Sequence, residues 1–287
     1  MRKFNKKTPS QPVGRRNLSV QNISAGIGLG ADETPIGEPS TIRLHDAYVS
    51  DKHYQTGQPL TSLESFENLL TTAKEKKIDL IFLTGDIINY PSETAVRAVL
   101  ERLETTGIPF LYTAGNHDWY YEGMEGSADF LRETWVEQRL KPLYRAADPM
   151  CSATLFHGVN MVCIDDSTYR ITERQLEFYR KQKSKPEPLV LLMHIPLYMP
   201  TLSFGSCGHP EWGEATDRNY IIERRERWPT EGCGKATLDF VQEVFSTPNL
   251  IGIFTGHYHG SQVIVSGGGV QLYYAGCRTR MFTHHSD

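Results

Sequence analysis

Five short apolar runs in this chain each end in residues able to bind a metal ion. Val49-Ser50 leads into Asp51-Lys52-His53, and Leu83-Thr84-Gly85 into Asp86. Tyr112-Thr113-Ala114-Gly115 leads into Asn116-His117-Asp118, Leu192-Met193 into His194, and Phe254-Thr255-Gly256 into His257-Tyr258-His259. Imidazole, carboxylate and amide oxygen together suit borderline and hard divalent or transition ions such as Zn, Mn or Fe. The seven candidate ligands (Asp51, His53, Asp86, Asn116, His194, His257 and His259) exceed what one tetrahedral ion takes and fit two ions sharing a carboxylate. Two metals about 3.5–4 Å apart can clamp the attacking and leaving oxygens of an in-line displacement at phosphorus and generate hydroxide near neutral pH. A lone histidine of this kind is usually a core or turn residue. Five clusters at five strand ends indicate one site.

Such residues can meet only if the runs before them are neighbouring strands. Apolar strands are predicted at 42–49, 79–84, 108–113, 188–193 and 249–255, with further strands at 153–164 and 261–275. Helical patterns fall between them, near 62–77, 93–106, 126–140, 172–183 and 235–246, and Glu64 is placed to close a capping box with Thr61. Continuous apolar strands separated by helices imply a largely parallel sheet covered on both faces. The late strands, without helices between them, imply a second, mixed sheet. Ligands in such folds bind outside the carboxyl ends of the strands, which is where the five clusters lie.

His117 is expected to act on the substrate rather than on a metal. With Asn116 giving its amide oxygen to an ion, the neighbouring imidazole can stabilise phosphoryl charge or protonate the leaving oxygen. Asp118 could fix the tautomer of that ring or cap a helix N-terminus.

In this order, Asp-x-His, Gly-Asp, Gly-Asn-His-Asp, a strand-end His and Gly-His-x-His resemble the calcineurin-like metallophosphoesterases over roughly residues 41–280. The resemblance implies a four-layer α/β/β/α sandwich of two mixed sheets flanked by helices, with a dinuclear site at the C-terminal strand ends. It implies one metal on Asp51, His53, Asp86 and His259 and another on Asp86, Asn116, His194 and His257, with Asp86 bridging. His117 and Asp118 match the family's catalytic His and Asp. Purple acid phosphatases use a metal-bound Tyr where this chain has Asn89, with Tyr90 one residue late.

Charge and composition narrow the partners. Of the formal −4, residues 1–31 carry +6 and the rest −10, so the body offers no basic groove for a nucleic-acid backbone. No run of 18 apolar residues exists, and the composition excludes collagen, coiled coil and wholesale disorder. Residues 1–40, rich in Ser, Gly, Pro and Asn, are expected to form a flexible leader ahead of a catalytic domain at 41–287, and Gly26–Ala31 is expected to belong to it rather than to a dinucleotide site. Five scattered cysteines without a CxxC pair fit a reduced, cytoplasmic protein, although Cys207 and Cys233 could pair on export, and the basic residues 1–31 leave export or organelle targeting open. Asp165 and Asp166 read as a turn or cap, and the irregular stretch 199–234 as part of a substrate pocket. The expected substrate is a small phosphoric ester, either mono- or diester. The alternatives are an idle, metal-stabilised scaffold and a nuclease of the same fold.

Overall fold

The computed structural model describes residues 18–30, 49, 51–52, 56–121, 124–200, 207–209, 233–257, 263–265, 271–274 and 281–284. Along the chain these form β1 (Leu18–Ile23), β2 (Asp51–Lys52), β3 (Pro59–Leu60), α1 (Ser62–Glu75), β4 (Leu80–Thr84), α2 (Glu93–Thr106), β5 (Phe110–Thr113) and α3 (Asn116–Trp119). Next come α4 (Ala128–Trp135), a π-helical turn (Val136–Leu140), α5 (Lys141–Tyr144), β6 (Cys151–Phe156), β7 (Val159–Ile164) and α6 (Glu173–Lys183). The series closes with β8 (Leu189–Leu192), α7 (Lys235–Phe245), β9 (Leu250–Thr255), β10 (Val263–Val265), β11 (Gln271–Tyr274) and β12 (Met281–His284).

Two sheets carry the fold. One has the order β12-β1-β4-β5, parallel except for β12; the other runs β10-β11-β9-β8-β7-β6, parallel except at its two edges. Side chains of both sheets alternate between two cores. Leu80, Phe82, Met161, Cys163, Val190, Leu192 and Phe254 meet between the sheets, where Phe82 and Phe254 pack edge to face at 4.9 Å between centroids. Their neighbours Ile81, Leu83, Val162, Ile164, Leu189 and Leu191 turn outward into cores shared with Phe66 and Leu70 of α1, Val99 and Leu103 of α2, Tyr179 of α6 and Phe240 of α7. Period-2 alternation with both faces covered yields the four-layer α/β/β/α arrangement. Helix α1 begins with the expected capping box: Thr61 Oγ1 accepts the Glu64 N–H at 3.2 Å and Glu64 accepts the Thr61 N–H at 2.7 Å.

Part of the expected leader is a central strand. β1 lies between β12 and β4, pairing Val20 with Leu80 and Ile23 with Leu83, and is buried along nearly its whole length. Its polar residues hid it from the hydrophobic pattern, yet the side-chain amides of Gln21 and Asn22 find carbonyl partners. Gln21 Nε2 donates to the Leu69 carbonyl; Asn22 Nδ2 donates to the Thr255 carbonyl, and Asn22 Oδ1 accepts from Thr84 Oγ1. The glycine-rich segment after it is also built in. The N–H groups of Ala25 and Gly26 donate to the Asp86 carbonyl, and Ile27, fully buried, bridges to Ile88.

Other boundaries shift for local reasons. The expected strand 153–164 is the hairpin β6–β7, turning at His157-Gly158, and the helix expected over 126–140 changes to a π-helical turn at Val136. Of the late strands, β10 and β11 extend the second sheet, whereas β12 joins the first. The strand expected at 42–49 lies outside the described residues except for Val49.

Candidate metal centre

β4, β5, β8 and β9 run side by side in their sheets, and their carboxyl ends deliver Asp86, Asn116, His194 and His257 to one point. His194 Nε2 lies 3.2 Å from Asp86 Oδ2 and 3.1 Å from Asn116 Oδ1; His257 Nδ1 lies 3.1 Å from Asn116 Oδ1 and 3.2 Å from His194 Nε2. Asp86, Asn116 and His194 are buried, and His257 is half-buried.

The turns that present these groups tolerate almost no extra atoms. A Cβ on Gly85, whose φ is +79°, would sit 2.3 Å from His194 Nδ1; one on Gly115 would sit 2.2 Å from Asp86 Oδ1. Glycine is therefore required at both positions by close approach, and at Gly85 by its left-handed backbone as well. Asp86 (φ +51°) and His257 (φ +69°) are themselves in the left-handed region, a conformation concentrated at functional sites.

Hydrogen bonds aim each donor atom. His194 Nδ1 lies 2.8 Å from the Thr84 carbonyl, which can only accept, so Nδ1 carries a proton and, in the neutral ring, Nε2 offers a lone pair. Asp86 Oδ1 accepts the His117 N–H at 2.9 Å, which leaves Oδ2 toward His194. Burial alone would push the Asp86 carboxyl up, but the rings of His194, His117 and His257 hold it well below the usual carboxylate range. Burial would likewise push His194 down, and Asp86 instead raises it to about 9. The field at this point favours positive charge. With both rings neutral, two imidazole nitrogens, an amide oxygen and a carboxylate oxygen converge as lone pairs, a set that a cation satisfies in place of the ring protons.

Asp118 does not orient His117. Its carboxylate accepts the N–H groups of Ile87 and Ile88 at 2.8 and 2.9 Å, the Gly115 N–H at 2.8 Å and the Tyr112 hydroxyl at 3.0 Å. Four donors take up its four lone-pair positions, so it ties the Gly-Asp turn to the Gly-Asn-His turn and opens α3, the capping use weighed from sequence. Burial, reinforced by the charge of Asp86, pushes Asp118 up to about 6 against these donors. His117 is half-buried, with Nδ1 unpartnered among the described residues.

The segment after β7, expected to be a turn or cap, supports the site. Asp166 Oδ1 accepts the N–H groups of His194 and Ile195 at 3.0 and 3.1 Å. Ser167 Oγ accepts the Trp119 indole N–H at 2.9 Å, and Asp165 is held by Arg132. The Tyr169 hydroxyl lies 2.6 Å from His257 Nε2. An Asp-Asp-Ser-Thr-Tyr run at a strand end is the one sequence signal that pointed here.

Among the other candidates, Asp51 lies in β2 paired with Leu60, with its side chain outside the described residues, as are His53 and His259. Trp119 and Tyr120 are buried core residues, and Tyr90 packs against Trp135. Cys207 and Cys233 are free thiols, not a disulfide. The 199–234 stretch is described only at Met199-Pro200, Cys207–His209 and Cys233-Gly234.

A sequence model of the calcineurin-like phosphoesterases matches residues 47–261. The chain belongs to this family. It is accordingly a metal-dependent hydrolase of phosphoric esters, of a family built on dinuclear centres. A probable cyclic nucleotide phosphodiesterase of Psychrobacter arcticus is 26% identical over 246 residues, spanning 80% of this chain and 76% of that protein. A dimetal phosphatase from Danio rerio shares the fold with a TM-score of 0.52 at 12% identity, over 91% of this chain and 88% of that one. Purple acid phosphatase PPD1 from yellow lupin (Lupinus luteus) seeds superposes with a TM-score of 0.53 at 13% identity, over 91% of this chain and 44% of that one. Among the described residues, no helix of this phosphoesterase is long and apolar enough to cross a membrane.

Proposed function

We propose that the chain is a phosphodiesterase acting on a small diester of the cyclic-nucleotide class, with Asp86, Asn116, His194 and His257 holding one divalent ion. Asp51, His53 and His259 would hold a second together with a shared Asp86. The carrying observation is the convergence of four lone-pair donors, each fixed by a hydrogen bond or a tight turn behind it. When bound, such ions supply a hydroxide nucleophile and stabilise phosphoryl charge; Mn, Fe and Zn all suit these ligands. The diester preference is supported by the Psychrobacter relative, which is matched over most of both chains.

The protein's own part is positioning and proton transfer. Asp86, anchored through Oδ1 by the His117 N–H, keeps its other oxygen toward the ligand point. The His117 side chain follows directly from Asn116, and its unpartnered Nδ1 is available to protonate the leaving oxygen. The free thiols Cys151, Cys163, Cys207 and Cys233 support a reducing, cytoplasmic setting.

Elemental analysis combined with assays on a bis-aryl phosphate, an aryl phosphate and a 3′,5′-cyclic nucleotide tests this reading. The expected result is about two metals per chain and diester turnover that chelation removes. Full activity of metal-free protein overturns the mechanism, exclusive monoester turnover overturns the substrate class, and inactivity on all three leaves an idle scaffold.

A further inference from the structure

We propose that Tyr169 is a positioning residue that fixes the ring of His257 and selects Nδ1 as its metal-binding nitrogen. This rests on the metal reading above. An imidazole presents a lone pair from one nitrogen only when the proton sits on the other, and the second nitrogen's partner sets that choice. Nδ1 of His257 faces Asn116 Oδ1 and His194 Nε2 at the ligand point, so for Nδ1 to give its lone pair to an ion the proton must sit on Nε2, and the Tyr169 hydroxyl lies 2.6 Å from Nε2. A phenolic oxygen can accept that proton's hydrogen bond while its own hydrogen points elsewhere. The two rings also meet edge to face, 5.5 Å between centroids at 83°, which limits tilting of the imidazole.

Tyr169 is held too tightly for this contact to be incidental. It is 1% exposed and has φ +61°, a conformation costly for a bulky residue. Its N–H donates to the Asp166 carbonyl at 2.7 Å, and its own carbonyl accepts from Cys207 Sγ. Asp166 in turn carries the backbone of His194. The five-residue segment Asp165–Tyr169 therefore sets two of the four ligands, one through its main chain and one through its ring. Histidine fixed by such a partner gains affinity for metal because neither orientation nor tautomer must be selected at binding.

The test compares wild-type protein with Tyr169→Phe, which keeps the ring and removes only the oxygen. Tyr179→Phe serves as control, since Tyr179 is buried in α6 and its hydroxyl donates to Thr247. Mn is titrated into metal-free protein, and ring 15N spectra report the His257 tautomer. Tyr169→Phe is expected to weaken Mn binding about 10–100-fold and to mix the tautomers, while its metal-free melting temperature stays close to that of Tyr179→Phe. Wild-type Mn affinity in Tyr169→Phe, or an unchanged Nε2–H tautomer, overturns the assignment while leaving the metal reading intact. A wild-type protein that binds no Mn, Fe or Zn overturns both.

Discussion

Asp166 and His194 are joined through the main chain: one oxygen of the buried Asp166 carboxylate accepts both the His194 N–H and the next N–H, of Ile195. The ligand is thus set from behind by a residue on a different strand end, while its ring is set by the Thr84 carbonyl. Replacing Asp166 by Ala strands two buried N–H groups, and about 2–4 kcal/mol of stability should be lost. Asp166→Asn keeps an acceptor oxygen and should lose less. Urea titration of the two variants beside wild type orders them, and equal stability of all three would contradict the arrangement.

The site separates metal holding from proton transfer. Asp86→Ala should remove activity together with at least one metal, because the carboxylate faces His194 directly. His117→Asn should retain the metals and reduce turnover about 10²–10⁴-fold, the usual range for general acid catalysis. Metal content by elemental analysis, measured beside kcat, distinguishes the two. Loss of metal from His117→Asn would place that ring among the ligands instead.

Asp118 gives a sharper contrast. If it oriented His117, Asp118→Asn would reproduce the His117→Asn phenotype with stability intact. The four donors that occupy its carboxylate predict the reverse. Asp118→Asn turns an amide N–H₂ toward backbone N–H groups, which only donate, so about 1–3 kcal/mol of stability should go. Thermal melting of the metal-free variants reads this directly.

A pH-dependent contribution lies far from the centre. Glu243 on α7 accepts from Arg180 at 2.6 Å and Lys183 at 2.7 Å on α6, and the Arg180 hydrogen bond leads in holding its carboxyl at about 2 instead of the ordinary 4.5. A depressed carboxylate stabilises the fold above its unfolded value and loses that contribution as pH falls through its folded one. Glu243→Gln should therefore lower stability at pH 7 by about 0.5–1 kcal/mol, or about 1–3 °C in melting temperature. The gap from wild type should narrow steadily between pH 5 and pH 3. A gap independent of pH would assign the loss to packing.

What was legible in the sequence was local. Asp86, Asn116, His194 and His257 each follow an apolar strand by two or three residues, and strand ends in a parallel sheet face one edge, so type and position sufficed to place them together. Only the tertiary structure revealed β1, because Gln21 and Asn22 look unsuited to a core until the Leu69 and Thr255 carbonyls are beside them. It also reassigned Asp118, whose donors come from two turns separated by about thirty residues of chain. Tyr169 and Asp166 acquire meaning in the same way, from His257 and His194 arriving on other strands. Ligand chemistry is carried by residue type and local spacing, whereas the hydrogen bonds that aim a ligand are contacts between distant segments. Those contacts exist only after the sheets have assembled.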